Sequence, residues 1–136
     1  NRLKYIQGNK GSGGGWHRDL INRRQLKFMI YLNNVDETNG CFQYLEKSHK
    51  PLAKSKINDF LSLSNSVCRY SEEQITDLES KGECFKNYEG EAGTLIIFDS
   101  SGIHRGKPID NGVRYAITKY MWDAEIPKHI KDLLIK

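Results

Sequence analysis

Two residues of metal-binding type, His17 and Asp19, stand two positions apart in the segment GWHRDL, directly after the glycine-rich run KGSGGG at 10–15. Alternate residues of an extended segment point to the same side, so an imidazole nitrogen and a carboxylate oxygen can reach one ion together. A lone His-x-Asp pair is common by chance and also fits a polar surface pair. Its position, where a flexible loop enters a well-patterned strand, favours the metal-binding interpretation.

A third ligand has to come from elsewhere, and His104 is the best candidate because it follows the apolar segment GTLIIFDS, at a strand end of the kind where loops carry function. Two histidines and one carboxylate form the facial triad of non-haem Fe(II) enzymes, which leaves positions open for oxygen chemistry. Zinc accepts the same ligand types. His49, in a Lys-rich strand end, and His129, in the basic tail, are expected to be ordinary surface or packing histidines.

Arg114 lies in the segment VRYAITKYMW and shares one face of the predicted strand with the smaller Ala116 and Thr118, which leaves room for an anion beside its guanidinium. At about 3.3 Å per residue, Arg114 is expected on the order of 10 Å from the metal. That distance suits a short diacid that chelates iron at one end while the Arg fork binds its far carboxylate. A surface salt bridge is the alternative.

The elements that must position these residues are short strands. Residues 26–34 alternate in polarity, which predicts a half-buried strand. The positions that share its apolar face are Leu26, Phe28, Ile30 and Leu32. The segment CFQYLEKSH follows Asn39-Gly40, a pair that permits positive φ, so we predict that it pairs back as an antiparallel neighbour.

The second half of the chain contains a helical segment followed by more strands. Residues 51–82 form a predicted helical insertion, in which Ser71 and Gln74 have capping-box spacing and Gly82 can end the helix. The continuous apolar centre of GTLIIFDS predicts a strand buried on both faces. A hairpin with Asn111-Gly112 at its tip is predicted next. The fold class is therefore all-β, a sandwich or barrel of jelly-roll type with a short helical insertion.

Composition limits the classes of protein that the chain can belong to. With 136 residues, 38% of them hydrophobic, it can close one modest core, so we expect a single domain over residues 1–136. The three cysteines, Cys41, Cys68 and Cys84, have no paired spacing, which predicts free thiols in a reducing, cytoplasmic location. No stretch approaches the roughly 20 apolar residues that span a bilayer.

The net charge of +4 is spread along the chain. A solvated surface explains it best, because the basic stretches are short, and a nucleic-acid partner is disfavoured by the lack of a concentrated basic stripe. The residues that would form a basic rim for nucleic acid are Arg18, Arg23, Arg24 and Lys27.

Four stretches resemble one known family: HRD at 17–19, NGCFQYLEKSHK at 39–50, GTLIIFDSSGIHRG at 93–106, and Arg114 ten positions after His104. Between about residues 15 and 122 the chain is similar to the phytanoyl-CoA dioxygenase-like family of Fe(II)/2-oxoglutarate-dependent oxygenases. The resemblance implies a double-stranded β-helix of the jelly-roll, cupin-like type. It also implies iron ligation by His17, Asp19 and His104, binding of 2-oxoglutarate by Arg114, and a second cosubstrate contact from Tyr31.

The chain departs from this family in two places. Glu46 and Lys47 stand where the family usually has Pro-Gly before Ser-His, a change that touches no proposed ligand. Family members also carry a longer N-terminal portion, so we expect either a minimal core or a chain that lacks such a portion.

The resemblance implies a hydroxylase, an enzyme that acts on a small organic substrate and converts 2-oxoglutarate and O2 to succinate and CO2. Asp19 favours hydroxylation, because related halogenases lack this carboxylate. Three alternatives stay open: a cupin-like metal enzyme without 2-oxoglutarate, a non-catalytic β-sandwich binding module, and an oxygenase directed at nucleic acid. Lipid-CoA, amino-acid, sugar and natural-product substrates are all compatible with the sequence.

Overall fold

The structure, a computed structural model of the chain, describes residues 2–19 and 25–122, and within them the chain forms two four-stranded antiparallel sheets and two helices. Sheet I has the spatial order β1-β8-β3-β6 and consists of β1 (Arg2–Lys4), β3 (Gln25–Tyr31), β6 (Leu95–Asp99) and β8 (Val113–Trp122). Sheet II has the order β2-β7-β4-β5 and consists of β2 (Ser12–His17), β4 (Phe42–Leu45), β5 (Phe85–Tyr88) and β7 (His104–Gly106). This mostly β architecture agrees with the predicted class and is consistent with a jelly roll.

The two predicted hairpins are wrong. β3 and β4 belong to different sheets, and so do β7 and β8, so each of the two connections carries the chain from one sheet to the other. The two crossings run side by side, because the backbone amides of Asp110 and Asn111 both donate to the carbonyl of Thr38. Asn39-Gly40 and Asn111-Gly112 thus reverse the chain locally, as expected, without pairing the strands on either side of them.

β3 is half-buried, and the face that it turns inward is the one that contains a lysine. Lys27, Met29 and Tyr31 are buried, whereas Leu26 and Ile30 are exposed on the outer face of sheet I. The inner face of this sheet borders a polar cavity, described below, and this explains why an ammonium group lies inside.

The prediction that β6 is buried on both faces is wrong. In the described part of sheet I it is an edge strand, with Leu95 51% and Ile97 55% exposed. The prediction for β8 is confirmed: Arg114 and Ala116 lie on the buried face, while Tyr115 and Ile117 point outward.

Two apolar clusters support the architecture. One lies between the sheets, and its buried members are Met29, Tyr31, Val35, Cys41, Phe42, Tyr44, Ile96 and Ala116. The other packs the helices α1 (Pro51–Phe60) and α2 (Glu72–Ser80) against sheet II, through Trp16, Leu45, Ile57, Tyr70, Ile75, Leu78 and Ile103. Both helices lie between β4 and β5 in the sequence, and all three cysteines are free.

The predicted capping box of α2 is confirmed. The hydroxyl of Ser71 accepts a hydrogen bond from the amide of Gln74, and the side chain of Gln74 accepts one from the amide of Ser71. The backbone amides of Ser71 and Gln74 at the start of α2 thus each have a side-chain acceptor. The same helix contributes Ile75 and Leu78 to the second cluster.

Some expectations from the sequence concern residues that the structure does not describe. Arg23, Arg24 and His129 lie outside the described residues. Within residues 2–19 and 25–122, neither helix has the length and apolar character that crossing a bilayer would need. A single domain over residues 1–136 stays a prediction.

We expect Ser71→Ala to lower the free energy of unfolding by about 1 kcal/mol, because it removes the N-cap acceptor. Urea denaturation followed by circular dichroism measures the change. Ser80→Ala is the matched control, since its hydroxyl donates to the Asp77 carbonyl inside the same helix and caps nothing. A loss for Ser80→Ala as large as that for Ser71→Ala would contradict a capping role.

Candidate metal centre and anion site

The three predicted metal ligands lie close together because of how β2 pairs with β7. The two strands are antiparallel, with His17 directly opposite His104, and Asp19 follows two residues after the end of β2. One ligand atom from each residue lies within 4.8 Å of the other two. The Oδ1 atom of Asp19 is 3.3 Å from Nε2 of His17 and 4.0 Å from Nε2 of His104.

A backbone carbonyl holds each of the two imidazole rings in place. Nδ1 of His17 lies 2.8 Å from the carbonyl oxygen of Gly15, and Nδ1 of His104 lies 2.9 Å from that of Gly102. Because a carbonyl oxygen only accepts, these contacts place a proton on Nδ1 of each ring. Nε2 of each ring is thereby turned toward Asp19; it donates to this carboxylate when it carries a proton and can bind a metal when it does not.

The local electrostatics favour the protonation states that a divalent cation needs. Burial, reinforced by the neighbouring His17, lowers the pKa of His104 to about 3, so its ring is neutral. Burial alone would raise the pKa of Asp19, but hydrogen bonds from His17 and Lys27 hold it well below its usual range. The site therefore offers neutral imidazole at His104 and an ionised carboxylate, which are the metal-binding forms of these groups.

Lys27 lies beside the candidate metal ligands, although the nucleic-acid alternative would place it on a basic surface rim. The structure puts it inside, 8% exposed, with its ammonium paired to Oδ2 of Asp19 and 4.8 Å from the ring centroid of Tyr120. The alternation of β3 could have indicated this position, since Lys27 shares a face with Met29 and Tyr31. The two oxygens of Asp19 thus have different neighbours: Oδ1 faces the histidines and Oδ2 faces the lysine.

Arg18, which the nucleic-acid alternative would also place on a basic rim, is buried and points away from the candidate metal ligands. It is 3% exposed, and its guanidinium donates to the hydroxyl of Tyr70 and to the carbonyls of Ser48 and Ser101. Arg18 is therefore not available for the basic rim that the nucleic-acid alternative would need. Its position between His17 and Asp19 on an extended segment explains this, because neighbouring residues point to opposite sides.

Arg114 is buried without an acidic partner. It is 4% exposed, Nη1 donates to the carbonyl of Gly40, and Nε has no hydrogen-bond partner. Among the described residues, no carboxylate lies within ion-pair distance of its guanidinium. Burial lowers its pKa, yet a guanidinium stays charged in proteins. A buried and uncompensated cation is costly, which indicates an anionic ligand at this position.

Gly106 makes room for this arginine. A Cβ atom added at Gly106 would lie 2.6 Å from Nη2 of Arg114 and 2.7 Å from Cβ of Ser12, closer than side chains approach. The last residue of β7 therefore has to be glycine if the guanidinium is to lie where it does.

A single cavity of about 320 Å³ connects the metal ligands with Arg114. Its lining includes His17, Asp19, His104 and Arg114, together with Ser12, Gly13, Lys27, Met29, Phe42, Arg69, Phe98, Gly106, Thr118 and Tyr120. The structure thus brings together four of the five residues that the sequence analysis proposed.

Tyr31 does not line this cavity. Its hydroxyl donates to the carbonyl of Tyr88 at 2.8 Å and accepts from the amide of Phe42 at 2.9 Å, and burial raises its pKa to about 12. Contact of Tyr31 with a cosubstrate stays a prediction. His49 lies apart from the ligands, with Nδ1 3.3 Å from the hydroxyl of Tyr44.

These features describe a β protein with a candidate two-histidine, one-carboxylate metal site and a buried anion-binding arginine. Comparison with known proteins gives the family: residues 3–122 match the model of the 2OG-Fe(II) oxygenase superfamily, and the chain belongs to this superfamily. No curated protein matches the chain.

A solved structure described as "Crystal Structure of EvdMO1" has a similar fold, with a TM-score of 0.54 and 20% sequence identity. The similarity covers 88% of this chain and 24% of that one, so this chain spans about a quarter of the length of the solved protein.

The superfamily implies Fe(II) and 2-oxoglutarate, and the residues present fit both. The two-histidine, one-carboxylate donor set is the one that non-haem Fe(II) oxygenases use. The orphaned Nε of Arg114 and its lack of an acidic partner fit the carboxylate of a diacid.

We expect Gly13→Ala to weaken binding of Fe(II) or Mn(II) by about tenfold or more, because an added Cβ would lie 2.1 Å from Cε1 of His17. Titration calorimetry under argon measures the affinity. Gly8→Ala is the matched control, since Gly8 also has positive φ (77° against 85°) but nothing within 4 Å of an added Cβ. Equal affinities for the two variants would show that the position of the His17 ring does not depend on Gly13.

We expect Tyr31→Phe to lower the free energy of unfolding by about 1–3 kcal/mol, because the Phe42 amide and the Tyr88 carbonyl lose a buried partner. The dissociation constant of 2-oxoglutarate on the same variant tests the predicted cosubstrate contact. An unchanged constant would assign Tyr31 to packing alone. Tyr115→Phe, on the outer face of β8, should change neither quantity.

Proposed function

We propose that this protein is an Fe(II)/2-oxoglutarate-dependent dioxygenase that hydroxylates a small organic substrate, with conversion of 2-oxoglutarate and O2 to succinate and CO2. The observation that carries the proposal is that one cavity contains both the converging Nε2 and Oδ1 atoms and a buried arginine with no acidic partner among the described residues. A metal site alone would fit many enzymes, whereas the arginine adds the requirement for an anion.

In this proposal His17, Asp19 and His104 hold the metal through Nε2, Oδ1 and Nε2. Bound Fe(II) supplies the activation of O2 that couples oxidation of 2-oxoglutarate to substrate hydroxylation. Arg114 binds the far carboxylate of the cosubstrate, and the carbonyl of Gly40 orients its guanidinium.

Apolar side chains complete the cavity. Met29, Phe42 and Phe98 line it beside the polar groups, and the rings of Phe98 and His104 have centroids 5.3 Å apart. They reduce the access of water to the metal ligands and so strengthen the charge interactions there.

We further propose that the fold is a double-stranded β-helix. The orders β1-β8-β3-β6 and β2-β7-β4-β5 support this, because successive strands belong to different sheets everywhere except at β4 and β5. A place near the phytanoyl-CoA dioxygenase-like enzymes is supported by HRD at 17–19, GTLIIFDSSGIHRG at 93–106 and Arg114. Tyr31 remains a proposed second cosubstrate contact, supported by its register opposite Ala116, two residues along β8 from Arg114.

The alternative functions explain fewer of these contacts. A cupin-like enzyme without 2-oxoglutarate leaves the buried charge of Arg114 without a ligand. A β-sandwich binding module gives no reason for both His Nδ1 atoms to be anchored on backbone carbonyls. An oxygenase directed at nucleic acid loses support because Arg18 and Lys27 lie inside the protein instead of on a rim.

The proposal is tested by adding Fe(II) and then 2-oxoglutarate to the protein without oxygen. We expect a weak visible charge-transfer band, which requires metal and a chelated 2-oxoacid in one site. His104→Ala should abolish the band. Arg114→Gln should retain metal binding and lower the affinity for 2-oxoglutarate by about 10- to 100-fold, the loss expected for a charge-assisted hydrogen-bonded pair.

Arg2→Gln is the matched control for Arg114→Gln, because Arg2 lies on the outer face of sheet I, 5.9 Å from the ring of Tyr115. It should leave the band and its 2-oxoglutarate dependence unchanged. Metal binding without a band in the wild type would favour the cupin-like alternative. Absence of metal binding to folded protein would overturn both.

A further inference from the structure

We propose that the substrate of this oxygenase is a small organic anion, and that Lys27 and Arg69 bind its charged group beside the metal centre. The inference rests on the proposed function and adds the chemical class of the substrate. It follows from the charges that line the cavity and from where their side chains originate.

The described lining of the cavity is strongly unbalanced in charge. It contains the cations Lys27, Arg69 and Arg114 but a single carboxylate, Asp19. Fe(II) and doubly charged 2-oxoglutarate cancel each other formally. The three cations then exceed the one carboxylate by two positive charges in the loaded site. A concave site with apolar walls concentrates such a field and attracts ligands of opposite charge.

Arg114 is committed to the cosubstrate in our proposal, so the excess belongs to the other two cations. Lys27 comes from the inner face of β3 in sheet I. Arg69 lies on the other side, where its backbone pairs with His17 in an isolated antiparallel bridge. Each side of the cavity therefore contributes one cation near the metal ligands.

The carboxylate that pairs with Lys27 would also have to bind the metal in the proposed site. Its ammonium is paired with Oδ2 of Asp19, but the same carboxylate uses Oδ1 for the metal in the proposed site. A single negative charge is thus shared between a divalent cation and a buried ammonium. Since buried charges are costly unless well paired, a substrate anion at this position would be stabilised.

Arg69 is held so that its charge stays at the mouth of the cavity. Nη1 donates to the carbonyl of Gly13 at 2.8 Å, next to the ring of His17, and the side chain is exposed to solvent. Anchoring on the glycine loop lowers the conformational entropy that the arginine would lose on binding a ligand. A carboxylate entering the cavity would meet Arg69 first and Lys27 further inside.

The test uses a matched pair of fluorinated probes, because it does not require the substrate to be known. The full chain is loaded with Mn(II), a paramagnetic substitute for Fe(II), and with saturating 2-oxoglutarate. The ¹⁹F relaxation of trifluoroacetate is then compared with that of trifluoroacetamide, which has nearly the same shape but no charge. We expect saturable relaxation enhancement for the acid, about tenfold larger than for the amide.

The variants Lys27→Gln and Arg69→Gln keep a hydrogen-bond donor and remove the charge. Each should reduce the enhancement for trifluoroacetate several-fold, and the double variant should reduce it to the level of the amide. Lys86→Gln is the control, because Lys86 is a surface residue, 51% exposed and paired with Glu46. It should change nothing.

Equal relaxation of acid and amide in the wild type would overturn the inference, and this comparison needs no variant. If the folded double variant keeps the full relaxation enhancement of trifluoroacetate, the inference is also overturned, since the anion would then bind elsewhere. The electron paramagnetic resonance signal of Mn(II) reports 2-oxoglutarate binding independently. If 2-oxoglutarate leaves this signal unchanged, the proposed function is wrong. If 2-oxoglutarate changes the signal but the acid and the amide relax equally, only the further inference is wrong.

Discussion

The antiparallel pairing of β2 with β7 is the constraint on which the rest of the site depends. It places His17 opposite His104, and the centroids of the two rings lie 4.4 Å apart. Asp19 is tied to the same place, because its amide donates to the carbonyl of Ser100, just ahead of β7. The buried guanidinium of Arg18 joins the two segments again through the carbonyl of Ser101. Metal ligation by these candidate residues would thus need little further adjustment of the chain.

The polar character of the interior explains where the apolar residues lie. The inner face of sheet I contains Lys27 and Arg114, and its outer face contains exposed aliphatic side chains such as Ile30, Ile97 and Ile117. Buried charged side chains need polar surroundings or partners, so this part of the interior cannot be filled with aliphatic groups. The core cluster between the sheets consequently relies on aromatic rings, with Phe42 and Phe98 4.3 Å apart.

Local signals in the sequence predict much of this structure. The capping box at Ser71 depends only on contacts within one helical turn, and the placement of Arg114 on the same strand face as Ala116 depends only on strand alternation. His17 and Asp19 could likewise be recognised as a candidate pair of metal ligands from their spacing alone, without knowledge of the fold.

Nonlocal features could not be predicted in the same way. A turn such as Asn39-Gly40 reverses the chain but does not determine which strand becomes its neighbour, so both hairpins were wrong. Alternation separates two faces without saying which one is inside, and β3 buries the face with Lys27. The apolar run of β6 similarly cannot distinguish a central strand from an edge strand.

The candidate metal ligands come from two segments far apart in the sequence, one with His17 and Asp19 and the other with His104, and this would couple metal occupancy to folding. An unfolded chain rarely brings the two segments within reach of one ion, so a metal held by these residues would bind the native state almost exclusively. At a free metal concentration of 100 times the dissociation constant, mass action would add about 2.7 kcal/mol to the stability of the fold. Iron supply would then affect the amount of folded protein, in addition to the fraction of it that is catalytically competent.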